Sequence, residues 1–179
     1  MIKAVIFDLD NTLLDFISMK NKAILSAIDG MIEAGLKVNP DKAFKKIFNI
    51  YDRKGYEYQE VFNEYIIKEL GSIDYKILAN GIVSYKKTKE ASLALYPNVI
   101  KTLISLSKMG LKLGVVSDAP KREAWIRICS VNLHHVFDAV VTFDDTGFHK
   151  PSPEPFKRVI NLLNVSFDSC FMIGDWPDR

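Results

Sequence analysis

The sequence predicts an α/β protein: a parallel sheet whose strands alternate with helices, interrupted after its first strand by an all-helical insertion. Two observations carry this. Short apolar runs at residues 3–8, 111–117, 139–143 and 169–174 are separated by helical patterns, which is the signature of βαβ units. From about residue 16 to residue 94 no convincing strand occurs, only apolar stripes at helical spacing punctuated by turn residues.

Each element has a local reason. Ala4-Val5-Ile6-Phe7 is continuously apolar, as a strand buried on both faces must be. In the insertion, Ile24, Ala27, Ile28, Met31 and Ile32 form one stripe, ending near Gly35. Asn39-Pro40 then reads as a helix N-cap and first helical residue, with Ala43, Phe44, Ile47 and Tyr51 on one face and Gly55 at the close. Val61, Phe62, Tyr65, Ile66 and Leu70 make a third stripe up to Gly71, and Ile77, Leu78, Ile82 and Tyr85 a fourth. Tyr96-Pro97 marks the return to the sheet. Val99, Ile100, Leu103, Ile104 and Leu106 form the crossover helix that follows. Helices over residues 121–131 and 153–163 complete the pattern, the second starting at a proline.

Composition narrows the function classes. The 179 residues are 48% hydrophobic and 26% charged, ordinary for a globular chain and unlike a disordered one. A net charge of +2, with Lys and Arg spread along the chain, argues against a nucleic-acid or membrane-surface protein. The N-terminal apolar run is too short for a signal peptide, and no stretch approaches the ~20 apolar residues of a membrane span. Cys129 and Cys170 lack metal-ligand spacing and are expected to be buried free thiols. A soluble cytoplasmic protein, monomeric or homodimeric, is the expectation.

The chemistry-bearing residues fall where the strands end. Strand one runs into Asp8 and Asp10, which face the same way if extended geometry persists. Two carboxylates so placed repel unless a cation or a proton intervenes. Strand two ends in Ser117-Asp118, Gly147-Phe148-His149-Lys150-Pro151-Ser152-Pro153 follows strand three, and strand four ends in Gly174-Asp175. In a parallel sheet these ends share one edge, the edge at which open α/β sheets bind ligands. Carboxylates there suit a hard cation such as Mg²⁺, and a hydroxyl and an ammonium suit phosphate oxygens. Taken singly, Ser117 reads as a turn residue, Lys150 as a solvated charge and Asp175 as a helix cap. Those readings fail together, because unrelated turns would not fall in this order on successive strands. His149 is assigned to the loop, and Asp118, Asp144 and Asp145 to turns or caps.

These four segments resemble, in order and spacing, the four motifs of the haloacid dehalogenase-like (HAD) superfamily: Asp8-Leu-Asp10-Asn-Thr12, Ser117, Lys150-Pro-Ser-Pro and Gly174-Asp175. The resemblance implies a Rossmann-like parallel-sheet core (HAD fold), residues 1–15 and 95–179, with a helical C1-type cap, residues 16–94. It implies a Mg²⁺-dependent phosphatase acting on a small phosphorylated metabolite. Asp8 is then the nucleophile that becomes an aspartyl-phosphate, and Asp10 the acid and later the base, its proton favoured by anionic neighbours. Thr12 orients the loop, Ser117 holds a phosphate oxygen, and Lys150 balances charge on Asp8 and the transferring group. Mg²⁺ is implied at Asp8, the Asp10 carbonyl and Asp175. Of the cap aromatics Tyr51, Tyr56, Tyr58, Phe62, Tyr65 and Tyr85, most are read as packing; one or two of them, or Phe16, are candidates to face substrate.

Related chemistries are weighed by the same residues. Dehalogenases of this fold lack the acid at the position of Asp10, phosphomutases share all four motifs, and a non-catalytic binding protein is the alternative from another class. The family's fourth motif carries a second acid four or five positions after the first. Here Asp178 stands three after Asp175 and Arg179 is basic, so the sequence is expected to be a shortened member with an apolar edge on strand four.

Overall fold

The computed structural model describes residues 1–175. The elements run β1 (Ala4–Phe7), α1 (Phe16–Glu33), α2 (Pro40–Lys54), α3 (Val61–Leu70), α4 (Tyr75–Ser92), α5 (Val99–Lys108), β2 (Lys112–Val116), α6 (Lys121–Ser130), β3 (Ala139–Val141), α7 (Phe143–Thr146), α8 (Pro153–Leu163) and β4 (Cys170–Ile173). The chain divides into two compact units, one of residues 1–16 and 93–179, the other Ile17–Ser92.

The first unit is built on a parallel sheet of order β3-β2-β1-β4. Alternation along the strands sorts its side chains by face. Val5, Phe7, Leu113 and Val115 pack with Val99 and Leu103 of α5 and Ala124 and Ile128 of α6. Ala4, Ile6, Val116, Ala139 and Val141 pack on the opposite face with Val159, Ile160 and Leu163 of α8. Right-handed crossovers require this division. The chain steps from β1 to β2 to β3 in one direction with α5 and α6 on one face. It then returns past β1 to β4, so α8 falls on the other. The reversal of strand order lies between β1 and β4, the switch point where such sheets open a crevice beyond their strand ends.

The two crossings between units are tied together within the first unit. Leu14 and Leu95 form an antiparallel bridge, Asp15 N donates to Ala94 O at 3.0 Å, and Tyr96 N donates to Leu13 O at 3.0 Å. The second unit is helical throughout, with its own apolar core from Ile24, Ile28 and Met31 of α1 to Ile47, Tyr65, Ile66 and Leu78. The Asn39 side chain accepts from Lys42 N at 3.0 Å, so the Asn-Pro signal marks the start of α2 as expected. Unforeseen is Lys20, buried in this core: its Nζ donates to Tyr56 O at 2.7 Å and Tyr85 Oη at 2.9 Å and lies 4.1 Å from the Tyr51 ring centre. Most of the aromatics read as packing residues do pack; Tyr51, Phe62 and Tyr65 are buried, whereas Tyr56 is exposed.

Three sequence expectations need correction. Residue 143 belongs to a short helix rather than to β3, because Thr142 and Asp145 form a capping box that turns the chain there. Leu70, Ile100 and Ile104 are exposed, since the buried stripe of each helix is narrower than its run of apolar residues. Cys129 is exposed on the outer face of α6 and Cys170 only half-buried on β4. β4 pairs with β1 and, among the described residues, with no other strand, leaving Phe171, Met172 and Ile173 exposed. Asp178 and Arg179, on which the expected departure in the fourth motif rests, lie outside the described residues.

Gly114 is where α8 comes nearest to β2: a Cβ there would stand 3.0 Å from Val159 Cγ2 and 3.1 Å from Leu163 Cδ1. Gly114→Val therefore overpacks this face, with an expected loss of about 2–3 kcal/mol in denaturant unfolding; an unchanged midpoint would show that α8 can move away.

Candidate active site

Parallel register brings the strand ends level. Phe7 pairs with Val115 and with Ile173, and Val116 with Val141, so Asp8, Ser117 and Gly174 emerge side by side. Backbone bonds fix them: Asp8 N donates to Ile173 O at 2.8 Å and Ser117 N to Val141 O at 2.9 Å. Asp8 and Ser117 are both buried.

Lys150 enters this layer from the loop between α7 and α8. Its backbone N–H donates to Asp118 Oδ1 at 2.9 Å, which ties the loop to the end of β2. Its Nζ donates to Val116 O at 3.1 Å and forms a short ion pair with Asp8 Oδ1. The lysine is only 8% exposed, so this is a desolvated pair and not a surface one. Thr12 Oγ1 donates to the other Asp8 oxygen at 3.3 Å. Ser117 Oγ accepts from Ala119 N at 3.2 Å, which orients the hydroxyl and leaves its proton to donate. The structure thus gathers Asp8, Thr12, Ser117 and Lys150 at the edge where the sequence placed them.

Burial pushes the Asp8 carboxyl above the usual carboxylate range; the Lys150 ammonium and the Leu9 N–H oppose this, and the charge on Asp175 adds to the rise. A buried carboxylate with a second carboxylate in its field is a place that an additional cation would relieve. Among the described residues no three His, Cys, Asp or Glu side chains form a metal-holding cluster. The set implied for Mg²⁺ needs only two carboxylates, Asp8 and Asp175, with the Asp10 carbonyl, and these all-oxygen donors fit a hard ion. Gly174 lies beside Asp8: a Cβ built on it would stand 3.6 Å from Asp8 Cβ, an ordinary contact.

The extended geometry on which Asp8 and Asp10 would face the same way does not persist to Asp10. The strand stops at Phe7, and Asp10 enters a turn in which it bridges to Leu14 with Asn11 at φ 61°. Its carboxylate meets Arg127 of α6 instead, Nη1 to Oδ2 at 2.5 Å. The guanidinium carbon lies 4.5 Å from the ring centre of Phe16, so Phe16, a candidate to face substrate, covers an arginine. The acidic neighbours expected around Asp10 from the sequence are thus joined by a cation that the sequence pattern alone does not place. A signal existed: Arg127 falls between Ala124 and Ile128 on the inward stripe of α6, where a charge demands a buried partner.

The remaining polar residues act as braces. Asp144 Oδ2 accepts from Lys121 N at 2.7 Å, and Asp145 Oδ2 from Thr142 N at 2.9 Å. His149 is exposed and stacks on Phe143 with ring centres 4.2 Å apart.

Comparison with known proteins places this constellation. The profile of the family described as haloacid dehalogenase-like hydrolases matches residues 5–178. The chain belongs to this family. It is 35% identical to the glyceraldehyde 3-phosphate phosphatase of Methanocaldococcus jannaschii, over 100% of this chain and 78% of that protein. With the protein of the same name from Methanothermobacter thermautotrophicus it shares 34% identity over 98% of this chain and 77% of the relative. Among solved structures, a HAD phosphatase from Thermococcus onnurineus superposes with a TM-score of 0.70 at 26% identity, covering 99% of this chain and 79% of that one. The magnesium-bound HAD-hydrolase YfnB of Bacillus subtilis shares the fold, with a TM-score of 0.67 at 20% identity over 99% of this chain and 81% of that one.

In this HAD-family hydrolase the Lys150–Asp8 pair is measurable without any substrate. Lys150→Met leaves Asp8 buried without its ammonium, with an expected cost of about 3 kcal/mol in metal-free protein. Asp8 already binds its proton more tightly folded than unfolded. Folding therefore gains from that proton at acid pH and loses the gain as pH rises through the folded-state value. Removing Lys150 raises that value further, so the deficit of Lys150→Met relative to wild type should be smallest near pH 4 and grow toward neutrality. A deficit independent of pH in urea titrations would mean the pair does not control Asp8.

Proposed function

We propose that this protein is a Mg²⁺-dependent phosphatase of a small phosphomonoester, working through an aspartyl-phosphate on Asp8. The observation that carries the reading is the buried Asp8–Lys150 pair at the sheet edge, with Thr12 and Ser117 beside it. Glyceraldehyde 3-phosphate is the first substrate to test, because the relatives at 34–35% identity bear that activity in their names. The helical unit is assigned, by the family resemblance, as the cap that selects among small substrates.

In the proposed reaction an Asp8 oxygen attacks phosphorus and the bond to the ester oxygen breaks. That oxygen takes a proton from Asp10 and departs as the alcohol. Water then attacks the phosphorus of the acyl phosphate, giving its proton to Asp10, and inorganic phosphate leaves with Asp8 restored. Lys150 fixes the Asp8 carboxylate and faces the charge on the phosphoryl oxygens; Ser117 donates to one of them. Mg²⁺, held by Asp8, the Asp10 carbonyl and Asp175, would supply further positive charge to the phosphoryl group.

The test is hydrolysis of an aryl phosphate and of glyceraldehyde 3-phosphate with Mg²⁺ present. Chelation by EDTA and Asp8→Asn should each abolish turnover, the substitution by about 10⁴-fold or more. Asp10→Asn should cost about 10²–10⁴-fold. Metal-independent turnover, or turnover that survives Asp8→Asn, would sink the mechanism. No turnover by folded, metal-loaded wild type would favour a binding role instead.

A further inference from the structure

We propose that Arg127 is a positioning residue for Asp10, clamping the turn after β1 so that the Asp10 carboxylate keeps one orientation through both halves of the reaction. The proposal rests on the reading of Asp10 as acid and base given above.

Arg127 is 1% exposed, the largest of the fully buried side chains among the described residues. A guanidinium so placed is a poor way to stabilise a helix, because desolvating it costs more than an aliphatic chain of similar volume. On the inward stripe of α6, Ala124 and Ile128 pack as hydrocarbon, and Glu123 is the other buried charge. The charge is therefore explained by what it holds. Nη1 of the guanidinium meets Asp10 Oδ2 at 2.5 Å, and its central carbon lies over the Phe16 ring, 4.5 Å from the ring centre.

Those two contacts are made to the two ends of one segment, residues 10–16. Within it, Asn11 N donates to Leu14 O at 2.7 Å, and Leu13 N and Leu14 N both donate to Leu9 O, at 3.0 and 3.1 Å. These bonds fix the backbone of the turn but leave the χ angles of Asp10 to be set by what its carboxylate meets. A planar fork packed against an aromatic ring presents its N–H groups along a defined direction, which a lysine ammonium does not. Arg127 thus sets the direction of the Asp10 carboxylate while Phe16 packs against the guanidinium. Proton transfer is sensitive to this, since a misplacement of about 1 Å can cost about 10²-fold in rate.

A double-mutant cycle on the full chain with saturating Mg²⁺ and an aryl phosphate separates positioning from folding. Arg127→Met is expected to lower kcat about 100-fold with KM within twofold, and Arg127→Lys to recover part of the loss. In an Asp10→Asn background, Arg127→Met should cost nothing further, because the group it positions is gone. An equal loss in both backgrounds would overturn the proposal. Should Arg127→Met not fold, Phe16→Leu runs the same cycle, with a loss of about fivefold expected only when Asp10 is present. Crystal structures of wild type and Arg127→Lys supply a readout independent of turnover: a reoriented Asp10 carboxylate in the variant supports the clamp, and an unmoved one refutes it. If wild type has no Mg²⁺-dependent turnover, the proposed function fails, while these structures still decide what Arg127 does.

Discussion

The site depends on one desolvated ion pair, Lys150 with Asp8, formed where two pieces of chain 142 residues apart reach the same sheet edge. A lone carboxylate at that depth would be costly to ionise, and a lone ammonium equally so. Together they are tolerable, and only because backbone groups complete their shells: Val116 O for the lysine, Leu9 N–H for the aspartate. The pair joins the loop before α8 to the end of β1, so the element that closes one face of the sheet also delivers the cation.

A chain of smaller constraints keeps that pair in place. Asp118 holds the Lys150 backbone, while Asp144 and the Thr142–Asp145 capping box hold the turn from β3 into α7 and the start of α6. These acids lie near the site in sequence yet serve as braces, which is why three aspartates in this region do not add to a metal-binding cluster. Asp10 is held by a second buried cation, Arg127. The two carboxylates of the first motif, which the sequence places two residues apart, thus have separate electrostatic surroundings. One is paired with an ammonium in the layer of the sheet, the other with a guanidinium whose central carbon lies over an aromatic ring. Distinct neighbours are what two acids need if one is to attack phosphorus and the other to move protons.

Much of this was legible in the chain itself, for reasons that can be named. The strands show because burial on both faces demands uninterrupted apolar runs, and the cap of α2 because Asn-Pro satisfies an orphan N–H and presets the first helical φ. Parallel order follows from strands alternating with helices, and from it the convergence of Asp8, Ser117, Lys150 and Asp175. What local patterns could not show is which side of each apolar helix faces inward. Ile100, Ile104 and Leu70 continue their stripes in sequence yet lie outside, because the contact surface offered by the sheet or the neighbouring helices is narrower than the stripe.

By itself, then, the sequence determined the fold class, the strand ends that carry chemistry and the family to which the chain belongs, since these rest on period, turn residues and motif order along one strand of text. Tertiary structure alone decided that Asp10 faces Arg127, that Phe16 covers that arginine, and that Lys20 is buried among tyrosines. Each joins residues whose proximity no local pattern encodes. A buried charge takes its meaning from the partner that compensates it, and that partner is fixed only when distant segments pack.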